Sequence, residues 1–145
     1  MQNILNKLES YCSINNIKLT PQRRLIAQTI GKNKNHPDID ELYQQIHKID
    51  SSIGIATLYR TLKILEEADI IEKHYFANNT NPRYEQIIED SHHDHLVDIT
   101  SGEVIEFFDQ KLEDLKTEIA KKLGYELIDH RLDLYGKKLK TNNVK

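Results

Sequence analysis

Apolar residues recur at helical spacing in four successive segments as far as Ala68, and from Ile70 onward the spacing becomes that of strands. This change of period constrains the fold more than any other feature of the chain. Ile4, Leu5, Leu8, Tyr11 and Cys12 mark a first helix that Asn15 and Asn16 stop. Thr20 ahead of Pro21 is an N-cap with proline at the first helical position, after which Leu25, Ile26 and Ile30 face one way until Gly31. Asp38 caps a third helix with Glu41 as its capping-box partner, and Ile39, Leu42, Ile46 and Ile49 form the buried stripe. Ser51, Ser52 and Gly54 break the chain. A fourth helix then buries Leu58, Leu62 and Leu65 and ends near Ala68, which sends Thr57, Arg60, Thr61 and Lys63 outward with Tyr59 beside them.

The segments Ile70 to Ala77 and Pro82 to Ile88 are rich in β-branched and aromatic residues and flank a polar turn, Asn78 to Asn81, so they read as a hairpin. Helices followed by a hairpin wing make an N-terminal winged helix-turn-helix domain over 1–88, with a hinge at about 85–91 and Glu89 to Ser91 as linker. Beyond it come strands His92 to Ile99 and Glu103 to Phe108, a capped helix Asp109 to Leu123 closed by Gly124, and a long strand Tyr125 to Tyr135. The fold class is therefore α+β: the winged helix, then a small α/β domain over 92–136, then a flexible tail over 137–145. A chain of 145 residues with 38% hydrophobic content buries one modest core, or two small ones that lean on each other or on a second subunit. No stretch approaches the roughly 20 apolar residues of a membrane span, and Met1 to Tyr11 is an amphipathic helix rather than a signal peptide. The expectation is a cytoplasmic protein without membrane contact.

A helix-turn-helix lays its second helix in the major groove, so that helix must carry side chains able to reach bases and phosphates. Arg60 can fork onto guanine, Tyr59 and Thr57 can meet a thymine methyl or a phosphate, and Lys63 adds charge. An ordinary solvated helix face looks the same, so these residues alone decide nothing. Lys18, just ahead of the Thr20 cap, suits a phosphate or the minor groove, or is a plain loop charge. The total of 20 Lys and Arg against 23 Asp and Glu gives no case for nucleic acid, but the distribution does. Lys7, Lys18, Arg23, Arg24, Lys32 and Lys34 stand against the single acid Glu9 in 1–35, whereas acids outnumber bases in 88–145. A positive front suits phosphate and a negative back suits cations.

Cys12 is the sole cysteine, which excludes an internal disulfide and any thiolate zinc site needing two cysteines from one chain. Metal must then be held by His and carboxylate. His92-His93-Asp94-His95 places four potential ligands at the start of a strand, and alternation sends His93 and His95 to one face and His92 and Asp94 to the other. Imidazole with carboxylate suits zinc, iron, manganese or cobalt. The bland alternative is an exposed polar tract. His36 reads equally as loop chemistry, His130 as a core histidine beside Ile128, Leu132 and Leu134, and His47 and His74 as surface residues.

Five runs, in order along the chain, carry a resemblance: Lys18-Leu-Thr-Pro-Gln-Arg-Arg, Ile55-Ala-Thr-Leu-Tyr-Arg, His92-His-Asp-His-Leu, Gly102-Glu-Val-Ile-Glu-Phe and Asp129-His-Arg-Leu-Asp-Leu-Tyr-Gly. Together they resemble the ferric uptake regulator family. The resemblance implies a winged helix, an α/β dimerisation domain and metal-dependent binding to AT-rich palindromic operators by a homodimer, with dimer against tetramer left open. It places an interdomain regulatory metal site on His36, Glu85, His93 and His95, with Glu106 an additional ligand in some relatives. It places a second metal site on His92, Asp94, Glu113 and His130, which promotes His130 from core residue to ligand. DNA contacts fall on Lys18 for the minor groove and on Tyr59 and Arg60 in the recognition helix, with Ala56 and Thr57 beside them.

One departure matters. Many relatives carry a cysteine pair on the turn after the histidines, where this chain has Asp98 and Ser101, so no structural cysteine-bound zinc is expected. This is the pattern of the alphaproteobacterial branch. The effector expected from the resemblance is Fe(II), with Mn(II) the nearest alternative and Zn(II) or Co(II) able to substitute. Glu85 and Glu106, where peroxide sensors carry aspartates, argue against oxidation sensing, and Ser13 after Cys12 argues against a haem-sensing Cys-Pro pair. A cupin-type metalloenzyme would share His93-x-His95 but needs a glutamate where Ile99 and Thr100 stand, and more strands than the chain offers. A winged-helix protein with incidental histidines is the third reading.

Overall fold

Local cap chemistry sets the first three helices of the chain. In the computed structural model, which describes residues 3–76, 81–88 and 92–140, α1 spans Ile4–Ile14 and starts where the Asn3 side chain accepts the Asn6 N–H at 2.9 Å. It stops at Asn15, whose backbone and side chain both donate to the Tyr11 carbonyl, and Asn16 turns the chain at φ +55°. α2, Pro21–Lys32, begins on Thr20, whose Oγ1 accepts from Arg23 N at 3.2 Å. α3, Ile39–Ile49, carries the full Asp38 and Glu41 capping box, and α4 spans Ile55–Glu67. These caps are each worth roughly 1 kcal/mol, too little to hold helices of this length without packing.

Packing supplies the rest. The chain divides into two units, Met1–Glu89 and Asp90–Lys145. In the first, Leu8 and Cys12 of α1, Ile26, Ala27 and Ile30 of α2, Leu42 and Ile46 of α3, and Leu58, Leu62 and Leu65 of α4 form one buried core. Each full burial of a Leu or Ile contributes about 1.5–3 kcal/mol. A two-stranded antiparallel sheet follows, β1 (Ile71–His74) and β2 (Arg83–Gln86), with Glu72 opposite Glu85 and Lys73 opposite Tyr84. Ile70, Ile71 and Tyr84 seal its base against the helices. The turn expected at Asn78 to Asn81 lies outside the described residues except for Asn81, and so does the linker Glu89 to Ser91.

Three expectations fail here. Ile49 is 63% exposed, because the last turn of α3 runs past the edge of the core. Thr61 is buried and not outward: it sits among the Leu58, Leu62 and Leu65 row, and its hydroxyl is satisfied by donating to the Thr57 carbonyl at 2.8 Å. His74 is buried at the end of β1 rather than on the surface.

In the second unit β3 (Asp94–Asp98) is the central strand, flanked by antiparallel β4 (Val104–Phe107) and parallel β5 (Asp133–Gly136), with α5 (Gln110–Lys122) between them in sequence. The β3–β4 turn is closed by Gly102 N–H donating to the Asp98 carbonyl at 2.8 Å, with Gly102 at φ +78°. Hydrogen bonds from the Thr100 N–H, then from Ser101, hold the Asp98 carboxyl below its ordinary range. The long strand expected over Tyr125 to Tyr135 shrinks to β5, since β3 offers only five residues to pair with. Tyr125 and Ile128 are 73% and 84% exposed, so the apolar burial expected around His130 is absent. α5 buries no residue, and Val97 is the one buried apolar side chain among the described residues of this unit. No described helix is long and apolar enough to cross a membrane.

Candidate metal centres and nucleic-acid face

In the second unit four donors converge. His92 precedes β3, Asp94 opens it, Glu113 lies in the first turn of α5 and His130 leads into β5. His92 Nε2 and His130 Nε2 are 2.9 Å apart. Asp94 Oδ1 lies 3.3 Å from His130 Nε2 and 3.7 Å from His92 Nε2. Glu113 approaches His92 at 3.3 Å and His130 at 3.8 Å. An ion held tetrahedrally by bonds of about 2.0–2.1 Å needs donors about 3.3–3.4 Å apart, and these five separations bracket that value. Glu113 Oε2 is buried without a hydrogen-bond partner, and Asp94 is 2% exposed. The nearest cation to that oxygen, the Lys116 ammonium, stops at 3.6 Å, beyond hydrogen-bond reach, and a bound ion would satisfy it more fully. The donor set fits a divalent cation.

The opposite side of the same strand carries a different set. Ligand atoms of His93, His95 and Glu106 all lie within 4.8 Å of one another, with His95 opposite Glu106 in the β3–β4 ladder. His95 is buried, and its Nδ1 lies 3.7 Å from Asp133 Oδ1 across the parallel β3–β5 pairing. Sequence reasoning missed Asp133. Only the parallel register brings it beside His95, and that register is not legible locally.

The first unit presents a further pair. Tyr84 N–H donates to the Pro37 carbonyl at 2.9 Å and Arg83 Nη1 to the His36 carbonyl at 3.2 Å, so the segment ahead of α3 is laid along β2. That brings buried His36 into hydrogen-bond contact with Glu85. His74 lies on the other side of Glu85, its Nε2 3.7 Å from Glu85 Oε1 and 3.7 Å from Glu72 Oε2, and its ring stacks on Phe76. His74 was legible in principle: strand alternation puts it on the face of Glu72, and Glu72 pairs across the hairpin with Glu85. Cys12 is no competitor for metal, since burial pushes its thiol up and away from the thiolate.

On α4, Ala56, Tyr59 and Arg60 are exposed, Thr57 is half-buried and Tyr59 stands 52% open to solvent. Lys18 is exposed, with its carbonyl taken by Arg23 Nη1 at 2.5 Å. This leaves its ammonium on the surface just ahead of α2.

A winged helix followed by an α/β unit in which histidines and carboxylates gather in sets defines a metal-responsive regulator, a class of transcription factor and not of enzyme. The ferric uptake regulator family model matches residues 14–135, and the chain belongs to that family. The chain is 42% identical over 144 residues to the ferric uptake regulation protein of Rhizobium leguminosarum bv. viciae, covering 99% of this chain and 100% of that protein. Among solved structures it is similar to a zinc-bound manganese uptake regulator, at 44% identity and a TM-score of 0.75, covering 92% of this chain and 99% of that one. The Helicobacter pylori ferric uptake regulator, described with three functional metal binding sites, superposes with a TM-score of 0.85 at 26% identity, covering 95% of each chain.

Proposed function

We propose that this protein is a homodimeric, cytoplasmic repressor that senses Fe(II) and, when metal-loaded, binds AT-rich palindromic operators of metal-homeostasis genes. The observation that supports this most directly is the division of one short strand segment between two donor sets, His93 and His95 on one side and His92 and Asp94 on the other. A transcription regulator works where bacterial DNA is, hence the cytoplasm.

The regulatory ion would be held by His36 and Glu85 of the first unit together with His93 and His95 of the second, with Glu106 as an additional donor. When bound it supplies a fixed cationic link between the two parts of the subunit. His36 is oriented for this by Arg83 and Glu85, and Asp133, 3.7 Å from His95 Nδ1, stands where an outer carboxylate would steady that ligand histidine. His92, Asp94, Glu113 and His130 would hold a second ion. With Cys12 the sole cysteine and Asp98 capping its own turn, no cysteine-bound structural zinc is part of the reading.

Lys18 would reach the minor groove, and Tyr59 and Arg60, with Ala56 and Thr57, the major groove. The second copy is called for by the second unit itself. Ile99, Ile105, Phe108, Leu115, Ile119 and Leu134 are all at least 41% exposed while Val97 is the one buried apolar side chain among the described residues of this unit, and a unit with so little core gains one by pairing.

Manganese is a second reading with its own support, because the 44% identical solved structures are named manganese uptake regulators. Imidazole and carboxylate donors serve Fe(II) and Mn(II) alike. Anaerobic calorimetric titration of metal-free protein with each ion, with and without an AT-rich duplex, separates them: the effector raises duplex affinity at the lower free concentration. Replacing His93 and His95 by Ala is expected to abolish metal-dependent gel shift while leaving a folded dimer. Retention of that dependence would defeat the regulatory-site reading.

A further inference from the structure

Lys116 stands three residues after Glu113 on α5, on the same helix face, and the sequence reading gives it no role. Its Nζ lies 3.5 and 3.4 Å from the two Asp94 carboxylate oxygens and 3.6 Å from Glu113 Oε2. The side chain is 17% exposed, so the ammonium is held inside the cluster and not merely near it. Both carboxylates that would face a divalent ion already face a cation.

We propose that Lys116 is a built-in cation of this cluster, balancing Asp94 and Glu113 before an ion enters and opposing the ion afterwards, so that this residue sets how readily the second site fills. The proposal rests on the reading of His92, Asp94, Glu113 and His130 as ligands. Two carboxylates brought together with little exposure repel one another. The ammonium, facing both carboxylates, offsets that repulsion. A divalent ion in the same cage would stand within a few ångströms of the ammonium, at a distance where like charges in a partly buried site cost far more than in water. A lysine suits such a role better than an arginine: a point charge on a long flexible stem can swing toward solvent, whereas a guanidinium fork locks onto its carboxylates. Metal entry is therefore an exchange of one cation for another, and the affinity is lower than the four donors alone would give.

The test uses the full-length protein in a His93→Ala, Glu106→Ala background, which weakens the other donor set of the second unit. Zinc(II) and manganese(II) are titrated in competition with a chromophoric chelator at fixed pH, and the metal-free melting temperature is recorded. Lys116→Met should bind about tenfold more tightly or better and melt lower without metal, while Lys116→Arg, keeping the charge and forking onto the carboxylates, should bind no more tightly than the parent. Unchanged affinity in Lys116→Met overturns the proposal, as does a metal-free Lys116→Met protein that melts no lower than the parent. His92→Ala with His130→Ala reads the underlying assignment separately. Loss of the bound ion upholds the ligand set, and full retention overturns it together with the role of the lysine.

Discussion

Gly31 lies near the end of α2, where a Cβ added to it would fall 2.8 Å from Ile4 Cγ2 and 3.7 Å from Ile4 Cβ. Two effects of Gly31→Ala oppose one another. Alanine in place of glycine favours the helix by up to about 1 kcal/mol. The overlap with Ile4 acts the other way: carbon atoms rest about 3.5–4.0 Å apart, so the contact is short by close to an ångström. The clashing atom is the branch methyl of a 6% exposed side chain and not the end of a flexible one. Relief requires turning Ile4 off its rotamer or moving α1 off α2, in the range of about 1–3 kcal/mol for overpacking. The overlap wins, and Gly31→Ala is expected to destabilise the first unit by about 1–2 kcal/mol. Native-state hydrogen exchange at Leu8 and Ile26, buried on the two helices, reads this loss independently of the second unit. In an Ile4→Ala background the obstacle is gone and Gly31→Ala should become neutral or stabilising, giving a coupling of about 1–3 kcal/mol. A Gly31→Ala protein more protected than its parent, or effects of the two changes that simply add, would refute the reasoning.

Three further outcomes are expected. Arg60→Ala should weaken operator binding by about 1–3 kcal/mol and relax preference at one base, with unchanged folding, as read by fluorescence anisotropy across salt concentrations. Thr61→Val should hold or raise stability by up to about 1 kcal/mol, since the Thr57 carbonyl keeps its backbone partner. It should also leave DNA affinity untouched, and a tenfold loss would return Thr61 to the DNA-facing set. Asp98, whose carboxyl sits below the usual range because the Thr100 N–H and then Ser101 donate to it, contributes stability that is present above the unfolded carboxyl value near 3.8 and is lost as pH falls through the lower folded value. Acid titration of the second unit by near-ultraviolet circular dichroism should show that this dependence is missing in Asp98→Asn.

Features written within a turn or two of chain were legible, and those decided by distant partners were not. Thr20 with Pro21, and Asp38 with Glu41, announce helices because the capping atoms are three residues from their donors. The segregation of His92 and Asp94 from His93 and His95 follows from strand pleating alone. Thr61 escaped because a hydroxyl looks polar in sequence while its bond to the preceding turn lets it pack as an apolar residue. The strand expected from Tyr125 was curtailed by the length of its neighbour β3, which no property of the segment itself encodes. Asp133 and Lys116 share that difficulty in different degrees. The aspartate needs the parallel register to be known, whereas the lysine was within reach as the third residue after Glu113 once the helix had been placed.

The adjacency of the two donor sets on consecutive residues of one strand restricts how this protein can change over generations. Inserting a residue between His93 and Asp94 would carry His93 to the side of Asp94 and away from His95, and deleting His93 would carry His92 to the side of His95, so either event strips one set of a histidine. Neither set can be retuned by length variation. Divergence in metal preference within such a segment must proceed by replacement of one side chain at a time, with the spacing of the run kept intact.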